Sequence, residues 1–417
     1  MTVSEIHALF LKSNGVCTDT RTLSKDCIFI ALKGPNFDGH KFAYKALASG
    51  ARYALVDDKS YVTSNQTILV SNTLETLQKL ANYHRKFLNI PILALTGSNG
   101  KTTTKELIAT VLSKKYKTVA TIGNLNNHIG VPLTLLSMNK TTEIGVVEMG
   151  ANHLKEIELL ARIAAPNYGY ITNFGKAHLE GFGGVQGVIK GKSELYEFLE
   201  KTKGKAFVNP NDSLQLKKTE RVTSLLLDSK ISLTNSDPFL EIQHGTQLLK
   251  TNLIGAYNFS NILAAMSIGE YFKVAEKDIQ EAIVAYVPKN NRSQIVHKGA
   301  HTLLLDAYNA NPSSMKVALE NFSKMNAKRK NVVLGDMFEL GTSSTEEHQK
   351  IAAFAEILPF EQVILIGKNF SKVKTSKARK YPTFEAFQTS FKTDSSSTYL
   401  IKGSRGMALE RIVALFD

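Results

Sequence analysis

An apolar run that ends in Thr96-Gly97-Ser98-Asn99-Gly100-Lys101-Thr102-Thr103-Thr104 and continues as Lys105-Glu106-Leu107-Ile108 constrains this chain more than any other feature. Ala94 and Leu95 read as the end of a strand, the glycines as a tight turn, and Lys-Thr as the opening of a helix. A strand that turns straight into a helix belongs to a βαβ unit, so the surrounding fold is α/β with a parallel sheet. There the loop's backbone N–H groups and the helix N-terminus form a cradle for polyphosphate. Lys101 would reach the β- and γ-phosphates and the Thr102 hydroxyl would ligate Mg²⁺, with Gly97, Ser98, Asn99, Gly100 and Thr103 completing the loop. The spacing is Gly97-x-x-Gly100-Lys101-Thr102, a shorter loop than usual, since Leu occupies position 95 where the longer form has its first glycine. Chance glycines at a loop–helix junction are the competing reading. They would not require strand, glycines, Lys-Thr and helix to agree, so an ATP or GTP site is expected.

The same alternation continues around this motif. Strands are expected over 92–96, 144–148, 168–172 and 206–209, with helices after Gly100, Gly184 and Tyr257. Glu148 ends one of these strands, on the edge where ligands bind parallel sheets. Holding Mg²⁺ is one reading, and a solvated strand-end carboxylate is the other. The loop Thr172-Asn173-Phe174-Gly175-Lys176-Ala177-His178 leaves a strand on the same edge. His178 there is either a site residue or a structural histidine.

A length of 417 residues suggests about three domains. Texture divides the chain into 1–84, a small α/β unit; 85–290, the parallel-sheet unit; and 291–417, a second doubly wound unit. The last has expected strands at 302–306, 331–334, 362–366 and 398–401 and helices at 313–322, 344–357 and 406–416. Lys and Arg outnumber Asp and Glu by 51 to 37, a net charge of +14. The short clusters Lys328-Arg329-Lys330 and Lys377-Ala378-Arg379-Lys380 are not interleaved with aromatic residues, so nucleic acid is not the expected partner. A lysine-rich solubilising surface and polyanionic small substrates account for the excess. Cys17 and Cys27 match no metal or redox spacing and read as free thiols. With no apolar run long enough to span a membrane and no export signal, a cytoplasmic protein is expected.

Six motifs follow one another along the chain. They are the phosphate loop, Gly123-Asn124-Leu125-Asn126-Asn127-His128-Ile129-Gly130-Val131-Pro132 and Glu148-Met149-Gly150-Ala151, then Ala177-His178-Leu179-Glu180-Gly181-Phe182-Gly183, Asn258-x-x-Asn261-Ile262-Leu263-Ala264-Ala265 and Asp306-Ala307-Tyr308-Asn309-Ala310-Asn311-Pro312. In this order they resemble the Mur ligases, ATP-dependent amide-forming enzymes of bacterial peptidoglycan assembly, over nearly the whole chain. The last motif resembles the branch that joins D-alanyl-D-alanine to UDP-N-acetylmuramoyl-tripeptide through an acyl phosphate. The resemblance implies a UDP-sugar domain, a central ATPase and a Rossmann-like C-terminal domain, acting as a monomer in cell-wall biogenesis, and with it in cell shape and division. It also implies ATP and Mg²⁺. The rival readings are another amide ligase of the wider Mur and folylpolyglutamate synthase superfamily, or a nucleic-acid-dependent ATPase.

Residue roles follow from the same resemblance. Thr18, Asp19, Thr20 and Arg21, with Asp38 and His40, look like uridine-nucleotide loops. Asn126 and Asn127 would meet substrate. Asn258 and Asn261 look like an adenine-contacting pair, or else cap a helix. Arg292 would reach the ATP phosphates on closure, or is an exposed linker arginine. Asp306 would touch ribose or the water shell of Mg²⁺, with Asn309 and Asn311 near the substrates. Lys402 and Arg405 would hold a substrate carboxylate at a helix start. If 185–199 is helical, Val188, Lys192, Leu195 and Leu199 share one inward stripe. Lys192 then either snorkels to the surface or, as in Mur ligases, takes up CO₂ as a carbamate suited to a second Mg²⁺ beside His178.

Overall fold

The computed structural model describes residues 1–289, 291–393 and 396–416. The expected boundary residue 290 and the last residue, 417, lie outside the described residues. The chain is α/β, with three parallel-strand sheets in succession.

The first sheet runs Val16–Cys17, Ile28–Ile30, Tyr53–Val56 and Thr67–Leu69, all parallel. Helix Thr73–Leu88 follows, started by Asn72, whose side chain accepts from Glu75 N, and stopped by Asn89 in the left-handed region at φ 49°. Position 84 falls inside this helix. Leu77, Leu80, Ala81 and His84 form one buried face, spaced three and four residues apart. That face joins Ile6 and Phe10 on one side to Val131, Leu135 and Leu160 of the next unit in a single core. Arg85, also buried, donates to the carbonyls of Ala164 and Ala165 and to Asn167 Oδ1. The helix therefore ties the first unit to the second.

The central sheet has six parallel strands in the order Thr223–Leu226, Lys205–Val208, Tyr168–Ile171, Ile92–Thr96, Ile144–Glu148, Thr118–Ala120. The phosphate-loop strand is in the middle; from it the chain crosses to the edge strand Thr118–Ala120, returns through Ile144–Glu148, and then winds outward on the other side. Leaving connections in opposite directions open a crevice at the carboxyl ends of the middle strands. Leu95 pairs with Glu148 and Thr96 with Ile171, so the three strand ends are level there. A three-stranded antiparallel sheet, Ser232–Asn235, Phe239–His244 and Gln247–Ile254, lies outside the expected elements. Its Leu240, Ile242 and Leu253 pack with helices Lys101–Leu112 and Phe259–Tyr271 in a second core.

The third sheet orders Gln294–Lys298, His301–Asp306, Thr398–Lys402, Lys330–Gly335, Gln362–Ile366 and Arg379–Tyr381, parallel except for the first strand. The helix expected over 406–416 is instead two 3₁₀ segments, Arg405–Met407 and Leu409–Phe416. Ala408 between them is left-handed at φ 47°, which interrupts helical hydrogen bonding.

One buried contact between the first two units titrates. His84 Nε2 lies 2.9 Å from the Met138 carbonyl, which can only accept, so Nε2 carries the proton. Neutral His84 therefore accepts at Nδ1 from His7 Nε2, 3.0 Å away. Burial pushes both rings below the ordinary histidine value, and for His7 the neighbouring His84 adds to it. Unfolded histidines bind a proton near about pH 6.5. Below that pH the unfolded chain takes up protons that the folded chain refuses, so stability is full above it and falls as the pH falls. Calorimetric melting between pH 7.5 and 5.5 should show this decline. In His84→Gln, which can still donate to Met138, the slope should be smaller, and an unchanged slope would acquit the pair.

Candidate active site

Where the carboxyl edge of the central sheet faces the third sheet, the chain encloses a cavity of about 850 Å³. The phosphate loop forms one wall. Gly97 and Gly100 turn it with φ of 144° and 79°, values that residues with a Cβ rarely adopt. The next strand's loop braces it: Ser98 N donates to Asn173 O, Asn99 N to Asn173 Oδ1, and Thr172 Oγ1 to Asn99 O. Two loop amides are thus already used. The free donors are those of the first helical turn, Lys101, Thr102 and Thr103, above an N-cap, Gly100, that has no side-chain partner. Lys101, expected on the β- and γ-phosphates, folds back here, its Nζ 2.7 Å from Gly97 O.

Glu148 is 1% exposed. Its Oε1 accepts from Asn126 Nδ2 at 2.8 Å and from Thr102 Oγ1 at 3.3 Å. Its Oε2 is buried without a hydrogen-bond partner. A solvated strand-end carboxylate is therefore excluded. A buried carboxylate oxygen left open, beside a threonine hydroxyl, is a hard-oxygen donor set that fits Mg²⁺. Lys105, one turn along the helix and given no role by the sequence, approaches that oxygen to 3.9 Å. Burial lowers the Lys105 pKa, and Glu148 pulls it back up. Asn127 lines the cavity and fastens its own loop, its Oδ1 accepting from Ile129 N and Gly130 N.

The opposite wall comes from the third unit. Asn311 Nδ2 donates to Asn99 Oδ1 at 2.7 Å, across 212 residues, while its Oδ1 caps helix Pro312–Lys324. Ser313 accepts from Lys176 N. Arg292 is no exposed linker residue: its guanidinium lies 3.6 Å from the Tyr308 ring centroid over the cavity, and its Nε is buried without a partner. Asp306 pairs in register with Lys402 on the neighbouring strand, and the Lys402 ammonium sits 2.6 Å from the Asp306 carboxylate and 3.1 Å from Asn309 O. Lys402 is thereby engaged, and Arg405 pairs with Glu410 and stands outside the cavity lining. Only a three-residue 3₁₀ turn starts at Arg405, in place of the helix start expected there.

Asn258 and Asn261 both line the cavity. Asn258 makes no side-chain cap. Instead Thr104 Oγ1 donates to Asn261 Oδ1, Asn261 Nδ2 to Asn258 Oδ1, and Asn258 Nδ2 to Ile254 O, a chain that links two helices. His178, left-handed at φ 53°, lines the cavity and bonds through Nδ1 to Glu339 of the third unit. Nothing local in the sequence marks Glu339 as that partner.

Val188, Lys192, Leu195 and Leu199 are all buried on helix Val185–Thr202 while Lys190 is exposed, as the stripe requires. Lys192 is 0% exposed, so it does not snorkel. Its Nζ donates to Ala151 O at 3.1 Å and lies 5.1 Å from the Phe182 ring centroid. Burial, with help from nearby Lys101, holds its pKa well below the ordinary lysine value against Glu156 and Glu194. Lys192 stands behind the cavity wall, not in it.

The expected uridine-nucleotide residues Thr18, Asp19, Thr20, Arg21, Asp38 and His40 do not line this cavity. Asp19 and Arg21 form a surface pair that holds the Asp19 carboxyl at about 2. His40 is buried between Asp38 and Asp57, at 2.7 and 2.8 Å.

Family models agree with this arrangement. "Mur ligase family, catalytic domain" matches residues 12–91, "Mur ligase middle domain" 95–269, and "Mur ligase, glutamate ligase domain" 291–414. The UDP-N-acetylmuramoyl-tripeptide–D-alanyl-D-alanine ligase of Bacillus subtilis (strain 168) is 33% identical over 96% of this chain and 92% of its own. The chain belongs to the Mur ligase family. Among solved structures, MurF from Acinetobacter baumannii superimposes on this Mur ligase with a TM-score of 0.84 at 30% identity, covering 96% of this chain and 92% of that one. MurF ligase from Thermotoga maritima, in complex with ADP, gives 0.84 at 26% identity, covering 98% and 97%.

The loop's dependence on glycine is testable. A Cβ on Gly97 would collide with Thr172 Oγ1 and approach Asn173 N to 3.1 Å, at a φ that already disfavours side chains. Gly97→Ala should lower stability by about 1–3 kcal/mol and remove ADP binding, measured by calorimetric melting with and without ADP. A variant with wild-type melting and an undiminished ADP shift would contradict this loop geometry.

Proposed function

We propose that this chain is an ATP-dependent ligase that joins D-alanyl-D-alanine to UDP-N-acetylmuramoyl-tripeptide in peptidoglycan precursor synthesis. The observation that carries the reading is the cavity itself, with a phosphate loop on one wall and the third unit's Arg292, Asp306 and Asn311 on the other. Full-length likeness to ligases of that name supplies the acceptor and the dipeptide, and the ADP complex of the Thermotoga relative supports ATP as the phosphoryl donor.

The chemistry then follows from the groups present. A carboxylate does not condense with an amine at neutral pH, because oxide is not a viable leaving group. Transfer of the γ-phosphoryl of ATP to the tripeptide carboxylate, with release of ADP, makes an acyl phosphate. The dipeptide amine attacks its carbonyl, and phosphate departs as the amide forms. Both anionic reactants must be brought together, so the chain contributes positive charge and positioning. Lys101 swings from Gly97 O onto the β- and γ-phosphates, and the free amides of the first helical turn receive them. Arg292, held over the Tyr308 ring, would face the same phosphates from the third unit. Asn258 and Asn261 offer the adenine an edge, Asp306 the ribose, and Asn126, Asn127, Asn309 and Asn311 line the path of the peptide substrates.

Glu148 and Thr102 would hold Mg²⁺, which when bound neutralises phosphate charge. The first unit would carry the UDP-sugar through Thr18, Asp19, Thr20, Arg21, Asp38 and His40, so residues 1–84, 85–290 and 291–417 divide as sugar-binding, ATP-binding and closing parts. The enzyme would act as a monomer. Among the described residues no helix is long and apolar enough to cross a membrane, and we place the reaction in the cytoplasm, with its ATP. Mass spectrometry of the product from ATP, UDP-N-acetylmuramoyl-tripeptide and D-alanyl-D-alanine tests the reading. One dipeptide should be added per ADP released, and an equal rate with a single amino acid would sink it.

Lys192 is best suited to carry a carbamate. Burial favours its neutral amine, which attacks CO₂ and loses one proton to leave an N-carboxylate. That anion, placed near His178, would serve a second Mg²⁺. Lys192→Ala should lose at least about 10²-fold in kcat, with partial recovery in acetate or formate. Full activity without additives would remove the carbamate from the scheme.

A further inference from the structure

Lys105 is a buried charge to which the scheme above gives no task. It follows Lys101 by one turn on helix Lys101–Leu112, is 3% exposed, and lies outside the cavity lining. Its ammonium stands 3.9 Å from Glu148 Oε2, within ion-pair reach but beyond hydrogen-bond distance. Oε2 is the oxygen without a hydrogen-bond partner, while Oε1 is fixed by Asn126 and Thr102. The carboxylate is therefore anchored through one oxygen and balanced electrostatically, not by hydrogen bonding, at the other. A buried carboxylate with no opposite charge is strongly disfavoured, and so is a buried ammonium. Each makes the other's burial tolerable.

The geometry points to Lys105 as a positioning residue for Glu148. It supplies the counter-charge that makes the carboxylate's burial tolerable while no divalent cation is present, and it competes with that cation for Oε2. This inference rests on the assignment of Glu148 to Mg²⁺. Two cations facing one oxygen repel each other, so the lysine loosens the hold on the metal. Removing it should tighten that hold while making the metal-free protein less stable.

The test is a titration of the full-length protein with MgCl₂ alone, read as the midpoint of the rise in calorimetric melting temperature. Wild type is compared with Lys105→Met, Lys105→Arg and the double variant Lys105→Met/Glu148→Gln. In Lys105→Met the metal-free melting temperature should drop and the Mg²⁺ midpoint should fall roughly tenfold. Lys105→Arg, which keeps the charge, should stay near wild type. A wild type that responds to Mg²⁺ beside a Lys105→Met with an unchanged or higher midpoint overturns the role of Lys105 and leaves Glu148 as metal ligand. A wild type indifferent to Mg²⁺ overturns both assignments. If Lys105→Met does not fold, the double variant decides. Neutralising Glu148 should restore folding if the two charges are coupled, and continued failure to fold would make Lys105 a packing residue only.

Discussion

The hydrogen bond between Asn311 Nδ2 and Asn99 Oδ1, 2.7 Å long, joins the phosphate loop to the third unit, and the reaction space depends on that junction. Asn311 can reach across because its own helix cap fixes it: Oδ1 holds Ser314 N, which leaves Nδ2 as the outward donor. Asn99 is fixed in turn by Asn173 and Thr172 from the adjacent strand end. Beside this link, Ser313 receives Lys176 N, Lys176 pairs with Glu347, and His178 meets Glu339. At the cavity these contacts are polar and water-compatible, while beside them Ile254 shares a buried apolar cluster with Leu304, Phe322 and Leu400 of the third unit. Polar contacts of that kind can break for substrate entry and re-form for chemistry.

Around the junction the chain buries charge in quantity. Glu148, Lys105, Lys192 and Lys402 are each at most 3% exposed, although such residues are rarely buried unless paired. Their fates differ according to partner. Lys402 has a carboxylate at hydrogen-bond distance, whereas Lys192 has only a carbonyl oxygen and an aromatic face. Lys402 is therefore structural glue between two strand ends. Burial holds the Lys192 pKa well below the ordinary lysine value. Similar residues within one fold meet opposite environments because one is neutralised by a neighbour and the other is not.

Much of the fold was legible in the sequence where burial is complete. Strands Ile92–Thr96, Ile144–Glu148 and Gln362–Ile366 and helix Ser344–Ile357 begin and end where expected. Fully covered parallel strands read as unbroken apolar runs. The antiparallel sheet of 232–254 was not legible, because Ser232–Asn235 is largely exposed and Gln247–Ile254 alternates with solvent. Edge strands Gln294–Lys298 and Arg379–Tyr381 were hidden for the same reason, having no fully buried residue. Position 84, where the texture of the sequence changes, lies inside helix Thr73–Leu88. The helix's apolar face is what fastens two units together.

The candidate site shows the same division. Gly97, Lys101, Thr102 and Glu148 announce themselves through local context, strand then turn then helix. Lys105, Glu339 and Tyr308 acquire meaning only from distant partners, across 43, 161 and 16 residues to Glu148, His178 and Arg292, which no spacing rule connects. The proposed reaction activates a carboxylate at this junction by phosphorylating it. The direct measurement uses UDP-N-acetylmuramoyl-tripeptide labelled with ¹⁸O in its terminal carboxylate, with the released phosphate weighed by mass spectrometry. Passage through an acyl phosphate predicts that each phosphate carries one carboxylate oxygen. Phosphate free of label, released alongside amide product, would contradict the account.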